Sequence, residues 1–122
     1  MSYSFTGIEH VQIAAPKGCE DQAREFYGSV LGMKELPKPA NLVSRGGCWF
    51  IVGQQELHIG VQENFTPATK AHPGFLVQNL QQLREKLTQS GITIKEEPSI
   101  DGRTRFFVTD PFGNRIEFLE FN

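Results

Sequence analysis

Short stretches of alternating polar and apolar residues, interrupted by two stretches with helical spacing, run along the chain. In residues 8–14 the side chains alternate, with Val11 on one face and His10 on the other. From residue 19 to residue 31 the apolar side chains recur instead at the period of an amphipathic helix, and Gly32 follows at the position of a C-terminal cap. The pattern therefore predicts a strand followed by a helix.

The same order of elements then occurs twice. Three more strands are predicted in the first half of the chain, at residues 33–36, 47–52 and 56–62. In the second half, the predicted elements are a strand at 72–77, a helix that begins after Asn79 and ends at Gly91, and strands at 92–96, 103–109 and after residue 114. We therefore expect one α+β domain over residues 1–122, made of two repeats at about 7–62 and 72–121.

The histidines fall at equivalent positions of these repeats. His10 and His72 lie early in the leading strand of their repeat, whereas His58 and Glu117 lie in the closing strand, on its mixed face. If the two half-sheets curl toward each other, with the helices on their apolar backs, these four side chains converge. Three imidazoles and a carboxylate suit a divalent ion such as Zn²⁺, Ni²⁺, Co²⁺, Mn²⁺ or Fe²⁺, and the ligand types do not choose among these metals.

Other residues of the mixed faces are candidates for contact with a substrate. Arg103 and Arg105 share one face of their strand, where they serve either as clamps for an anionic group or as ordinary exposed residues. Trp49 and Phe50 alternate faces, so only one of them reaches the cavity. We assign Phe50 to the substrate-binding set, together with the two arginines.

Composition and charge exclude several classes of protein. The chain has 122 residues, 39% of them hydrophobic, which is the size of one domain with its own core. A net charge of -2 without a run of like charge argues against binding to nucleic acid or to a membrane surface. The N-terminus has no signal-peptide pattern, no apolar run reaches transmembrane length, and the two cysteines have no CxxC spacing. We expect a soluble cytoplasmic protein with free structural thiols.

Two sequence motifs of the chain resemble those of a known family. FYGSVLGM at residues 26–33 and DPFGNRIEF at residues 110–118 resemble the vicinal oxygen chelate superfamily, the group of glyoxalases, bleomycin-resistance proteins and extradiol dioxygenases. The resemblance implies two βαβββ modules that form a U-shaped, half-open sheet around a metal ion. It also implies ligands on the first and fourth strands of each module, where this chain has His10, His58, His72 and Glu117. In such enzymes the ion binds adjacent substrate oxygens and stabilises an enolate or oxyanion.

The resemblance leaves the reaction open. Glyoxalase I has a glutamate at the second ligand position, where this chain has His58, with Glu56 two residues earlier. Extradiol dioxygenases and fosfomycin-resistance thiol transferases resemble the chain through a set of His10, His72 and Glu117, in which His58 lies next to the ligands. Bleomycin-binding members have the fold without a metal and bind the drug at a dimer interface, but they generally lack these histidines.

From these observations we expect a metal-dependent lyase or isomerase of the glyoxalase type. Its substrate is a small oxygenated molecule, and Glu117 acts as a ligand and as the catalytic base. Dioxygenase-like or thiol-transferase chemistry is the alternative reaction, and non-catalytic binding of a drug or another small molecule is the alternative role. The resemblance further implies a symmetric homodimer with the substrate pockets near its interface.

Overall fold

A computed structural model of the chain describes residues 2–122, so Met1, which belongs to the predicted domain, lies outside the described residues. Each module contains a strand, a helix and three further strands. The first module contains β1 (His10–Ala15), α1 (Glu20–Ala23), which continues as a π-helical segment over Arg24–Val30, β2 (Glu35–Leu36), a 3₁₀ helix (Ala40–Arg45), β3 (Cys48–Val52) and β4 (Gln55–Val61). The second contains β5 (Gly74–Leu76), α2 (Leu80–Gln89), β6 (Lys95–Ile100), β7 (Arg103–Thr109) and β8 (Arg115–Phe121). The α+β class and the two βαβββ modules are confirmed.

Each module forms its own open, four-stranded sheet. The strand order is β1-β4-β3-β2 in the first sheet and β5-β8-β7-β6 in the second. In both sheets the first and fourth strands of the module are parallel neighbours, and the remaining pairs are antiparallel. This topology brings the leading and the closing strand of each module side by side. His72 lies two residues before β5, whereas the sequence pattern predicted that it begins this strand.

The helices pack on the apolar faces of the sheets and form one core. Side chains that point to the same side of each strand are buried, because alternate residues of a strand share a face. The largest fully buried side chains are Tyr27, Phe50, Phe106, Phe118 and Leu57. The opposite faces of the sheets therefore remain for the polar residues. In the described part of the chain, no helix is long and apolar enough to cross a membrane.

The sequence predicted the end of the first helix correctly, but it did not predict the cap at the start of α2. Gly32 follows the first helical stretch with a φ of 79°, as a C-terminal glycine cap requires. Asn79, in contrast, makes no side-chain cap for α2 and itself has a φ of 63°. The carboxylate of Glu120 on β8 caps this helix instead, because it accepts the backbone N–H groups of Asn79 and Leu80 at 2.8 and 2.9 Å.

Candidate functional site

The strand registers give the predicted ligands equivalent positions in the two modules. The pairing of the strands has the same offset in both modules. The predicted ligand on the closing strand pairs with the residue that follows the leading histidine by two positions. His58 thus lies opposite Gln12, two residues after His10, and Glu117 lies opposite Gly74, two residues after His72. The sequence repeat is therefore matched by the geometry of the backbone.

In the first module, three aromatic rings form a stack on the polar face of the sheet. His58 lies between Trp49, whose ring centroid is 3.9 Å away, and His10, whose centroid is 4.2 Å away. The imidazole of His58 is buried, and its Nε2 atom lies 2.9 Å from Oε1 of Glu56. His10 is more exposed, and its Nδ1 atom lies 2.7 Å from Oε1 of Glu9.

In the second module, His72 and Glu117 are in direct contact. Nδ1 of His72 donates a hydrogen bond of 3.0 Å to the carbonyl of Lys70, and Nε2 lies 3.0 Å from Oε1 of Glu117. The other carboxylate oxygen, Oε2, accepts a hydrogen bond of 3.0 Å from Nη1 of Arg105. Glu117 is only 8% exposed, so a buried carboxylate is held between an imidazole and a guanidinium.

An aromatic ring forms the floor of this second cluster. Phe107 is buried and meets His72 edge to face, with the ring centroids 4.8 Å apart. The guanidinium groups of Arg115 and Arg105 lie over the same ring at 4.6 and 5.8 Å. The polar groups around Glu117 are therefore fixed in orientation and partly shielded from water.

The chemistry of these donors fits a divalent metal ion. In His10 and in His58, one ring nitrogen contacts a carboxylate oxygen, which leaves the other nitrogen for a metal. In His72, Nδ1 contacts the carbonyl of Lys70. Metal-binding histidines usually have this arrangement, because the second hydrogen bond fixes the tautomer and the ring. For His72 the remaining atom is Nε2, which faces the carboxylate oxygen of Glu117. The contact of 3.0 Å has the geometry of a hydrogen bond, so a metal ion held by both atoms would replace that hydrogen bond.

A single chain does not gather the four donors. Within residues 2–122, no group of three or more His, Cys, Asp or Glu side chains is arranged so that it could hold a metal ion. The donors instead form two pairs: His10 with His58 on the first sheet, and His72 with Glu117 on the second. We refer to the pair of His10 and His58 as the first half-site and to the pair of His72 and Glu117 as the second half-site.

The two arginines of β7 have different surroundings. Arg105 joins the cluster through Glu117 and also donates to the carbonyl of Pro98 at 3.0 Å. Arg103 lies toward the end of the strand, where it contacts Asp101 at 3.3 Å and lies over the ring of Phe121. Only Arg105 is thus linked to a predicted ligand.

The structure corrects the assignment of Phe50 to the substrate-binding set. Phe50 is fully buried on the apolar face of β3, where it packs against Tyr27. Trp49, its neighbour in the chain, points to the opposite face and stacks on His58. Alternation had already indicated that only one of the two rings reaches the polar face, and the structure identifies that ring as Trp49.

The cysteines lie apart from this chemistry. Cys19 and Cys48 are free, buried thiols in the core. Burial raises the pKa of Cys48 to about 11, which leaves almost no reactive thiolate near neutral pH. Both residues therefore have a structural role.

Comparison with known proteins identifies the family. The model of the Glyoxalase/Bleomycin resistance protein/Dioxygenase superfamily matches residues 7–118, nearly the whole chain. The chain belongs to this superfamily. A glyoxalase family protein from Bacillus anthracis is 51% identical, with complete coverage of both chains and a TM-score of 0.96. No curated protein gives a significant match.

More distant members of the superfamily share the fold. A lactoylglutathione lyase from Agrobacterium tumefaciens is 18% identical, with a TM-score of 0.76 and coverage of 97% of this chain and 96% of that one. The fosfomycin resistance protein FosX from Listeria monocytogenes, as an E126Q mutant, is 16% identical, with a TM-score of 0.78 and coverage of 98% and 95%. That structure contains Mn(II) and a dihydroxypropylphosphonic acid.

Proposed function

We propose that this protein is a metal-dependent enzyme of the glyoxalase type, a lyase or isomerase that acts on a small oxygenated molecule. The observation that carries the proposal is the contact of 3.0 Å between Nε2 of His72 and Oε1 of Glu117. The equivalent positions of the first module hold two further imidazoles. Superfamily membership and the Mn(II) ion in FosX support the same interpretation.

The proposed ligands are His72 and Glu117 from one module and His10 from the other. His58 is buried and stacked on both sides, so we assign it the role of orienting His10 rather than that of binding the ion directly. When bound, a divalent ion would polarise adjacent oxygens of the substrate and stabilise negative charge on them.

The separation of the two half-sites supports an assembly of two chains. We propose a symmetric homodimer in which the His10 and His58 pair of one protomer faces the His72 and Glu117 pair of the other. β1 and β5 lie at sheet edges, and a largely apolar cavity of about 590 Å³ lies beside them. Exposed apolar side chains of this region, Ile8 at 67% and Leu76 at 66%, suit burial at an interface.

The residues around His72 and Glu117 would each have a separate role in catalysis. Arg105 holds Oε2 of Glu117, so Oε1, which faces Nε2 of His72, would be the ligand atom. For Glu117 to act as the base, the same oxygen would have to leave the ion and accept the proton of the substrate. The hydrogen bond from Nδ1 of His72 to Lys70 fixes the ring of His72. Phe107 excludes water from the inner side of this pair, so that the polar groups act in a medium of low dielectric constant.

The experiment combines metal analysis with sedimentation of untagged protein. We expect a dimer at micromolar concentration and about one divalent ion per chain, and we expect chelation to abolish turnover in an assay of lactoylglutathione formation or of related lyase substrates. His72→Ala should abolish metal binding, whereas Lys17→Gln, which changes an exposed side chain, should not. A monomer that binds no metal under replete conditions would contradict the proposal.

A second candidate function is the binding of a small molecule without catalysis. Its supporting observation is the stack of Trp49, His58 and His10, which offers a flat aromatic surface. In that case the pairing of Glu117 with Arg105 would be structural. Metal analysis separates the two candidates, because only the enzyme requires the ion.

A further inference from the structure

A separate cavity lies on the polar face of the first sheet, next to the aromatic stack. It has a volume of about 240 Å³, and Gln12, Lys38, Arg45, Trp49 and Gly60 are among its lining residues. We refer to it as the Lys38–Arg45 cavity. Because the ring of Trp49 is stacked on His58, one wall of the cavity continues directly into the first half-site.

The two charged side chains that line this cavity are both cationic. Lys38 and Arg45 line it, and no carboxylate does. Among residues 2–122, neither cation takes part in an ion pair. Lys38 donates to the carbonyl of Gly46, and the nearby carboxylate of Glu20 is bound to the N–H of Gly47 at 2.6 Å. The feature that sets these two cations apart is that they line the same cavity.

The shape of the cavity depends on a close contact between two of its residues. A Cβ atom at Gly60 would lie 2.6 Å from Nε2 of Gln12, so the amide of Gln12 lies directly over this glycine. The absence of a side chain at Gly60 thus lets Gln12 lie flat on the sheet. The amide adds a neutral hydrogen-bond donor to the two charged ones.

We propose that the Lys38–Arg45 cavity binds the oxyanion of the substrate, a carboxylate or a phosphonate. Two cations and an amide match the several acceptor atoms of such a group, and Trp49 supplies an apolar wall for the carbon atoms next to it. The rest of the molecule then extends along the stack toward His10 and the metal. The inference rests on the proposed function and makes the substrate a small organic acid.

Trp49 provides a direct measurement, because it is the only tryptophan of the chain. Its fluorescence is recorded while metal-free protein is titrated with phenylphosphonate, with benzoate or with neutral benzyl alcohol. We expect saturable changes with one or both anions and none with the neutral compound, and we expect added salt to weaken the binding. The comparison of the two anions determines which oxyanion the cavity prefers.

Charge variants test whether the cations cause the binding. Arg45→Gln and Lys38→Gln should each weaken anion binding about tenfold or more, because a charge-assisted hydrogen bond is lost. Arg45→Lys should retain most of the binding. Lys17→Gln makes the same change of net charge at an exposed site outside the cavity and should have no effect. Equal binding by all variants, or no saturable change in the parent, would overturn the inference.

The same variants separate this inference from the proposed function. Metal affinity should be unchanged in Arg45→Gln, since this residue is not among the proposed ligands. Protein that binds the ion but no anion would refute only the cavity assignment. Protein that binds the anion but no ion would refute only the metal-dependent function.

Discussion

Tyr27 donates a hydrogen bond of 2.6 Å to Oδ2 of Asp110, and this bond joins the helix of the first module to the last turn of the second. Asp110 also accepts the backbone N–H groups of Phe112 and Asn114. The side chain of Asn114 in turn donates to the carbonyl of Ala14 at 2.8 Å. The turn that precedes β8 is therefore locked to both modules, and the position of Glu117 follows from it.

Tyr27→Phe should reduce the free energy of unfolding. Burial raises the pKa of Tyr27 well above its ordinary value, so the hydroxyl stays protonated and remains a donor. We expect a loss of about 1.5–3 kcal/mol, the usual contribution of a hydrogen bond to a charged group. Chemical denaturation measures it, with Tyr3→Phe as the control, because Tyr3 is 67% exposed. Equal stability of both variants would show that the two modules do not depend on this bond.

Phe26→Ala tests the orientation of the first helix. Phe26 is 4% exposed and packs edge to face against Tyr27. Its truncation should therefore cost about 3–5 kcal/mol, the range observed for buried aromatic side chains. Phe5→Ala is the matched control, because Phe5 is 93% exposed. A loss below about 1 kcal/mol in Phe26→Ala would contradict the packing described above.

Glu120→Gln should lower the melting temperature in a manner that depends on pH. The backbone N–H groups of Leu80 and Asn79 lower the pKa of Glu120 below its ordinary value of 4.5. Since the folded state favours the ionised form, the contribution of this carboxylate is present above pH 4.5 and is lost as the pH falls below it. Thermal denaturation should therefore distinguish parent and variant at pH 7 more than at pH 3.

The control for this prediction is Glu63→Gln, which alters an exposed carboxylate without a helix to cap. This variant should have the same melting temperature as the parent at pH 7 and at pH 3. If the difference between Glu120→Gln and the parent were the same at pH 7 and at pH 3, the capping role would be wrong.

His58→Ala tests the role of the stacked histidine. If His58 orients His10, as its burial between two rings suggests, its loss should weaken metal affinity about 10- to 100-fold. Calorimetric titration measures this change, and Gln12→Ala provides a control on the same face of the sheet. A loss as complete as that of a direct ligand would instead assign His58 to the ion.

The fold could be predicted because its local signals agree with one another. Alternation, helical spacing and the glycines after each helix all indicated the same repeat. Each module also contains one of the two family motifs. The cap of α2 was missed, because Asn79 is a common capping residue and the actual cap, Glu120, comes from a strand 40 residues later. No local pattern contains that contact.

The candidate site was less accessible to sequence reasoning. The alternation of side chains along a strand predicted that His10 and His58 share one face of their sheet, and their rings stack there. Whether these residues bind a metal stays a prediction. Alternation alone could not decide which of Trp49 and Phe50 faces the candidate site, since the two faces of β3 are both rich in apolar residues. It also could not reveal the pairing of Arg105 with Glu117, which depends on the register between β7 and β8.

The most direct test of the account is a calorimetric titration of Mn²⁺ and Zn²⁺ into metal-free parent protein and into His72→Ala and Glu117→Ala. The account predicts saturable binding of about one ion per chain in the parent and a severe loss in both variants, because His72 and Glu117 form the second half-site. Lys17→Gln should bind like the parent. Absence of saturable binding in the parent, or unchanged affinity in His72→Ala and Glu117→Ala, would contradict the metal-dependent function.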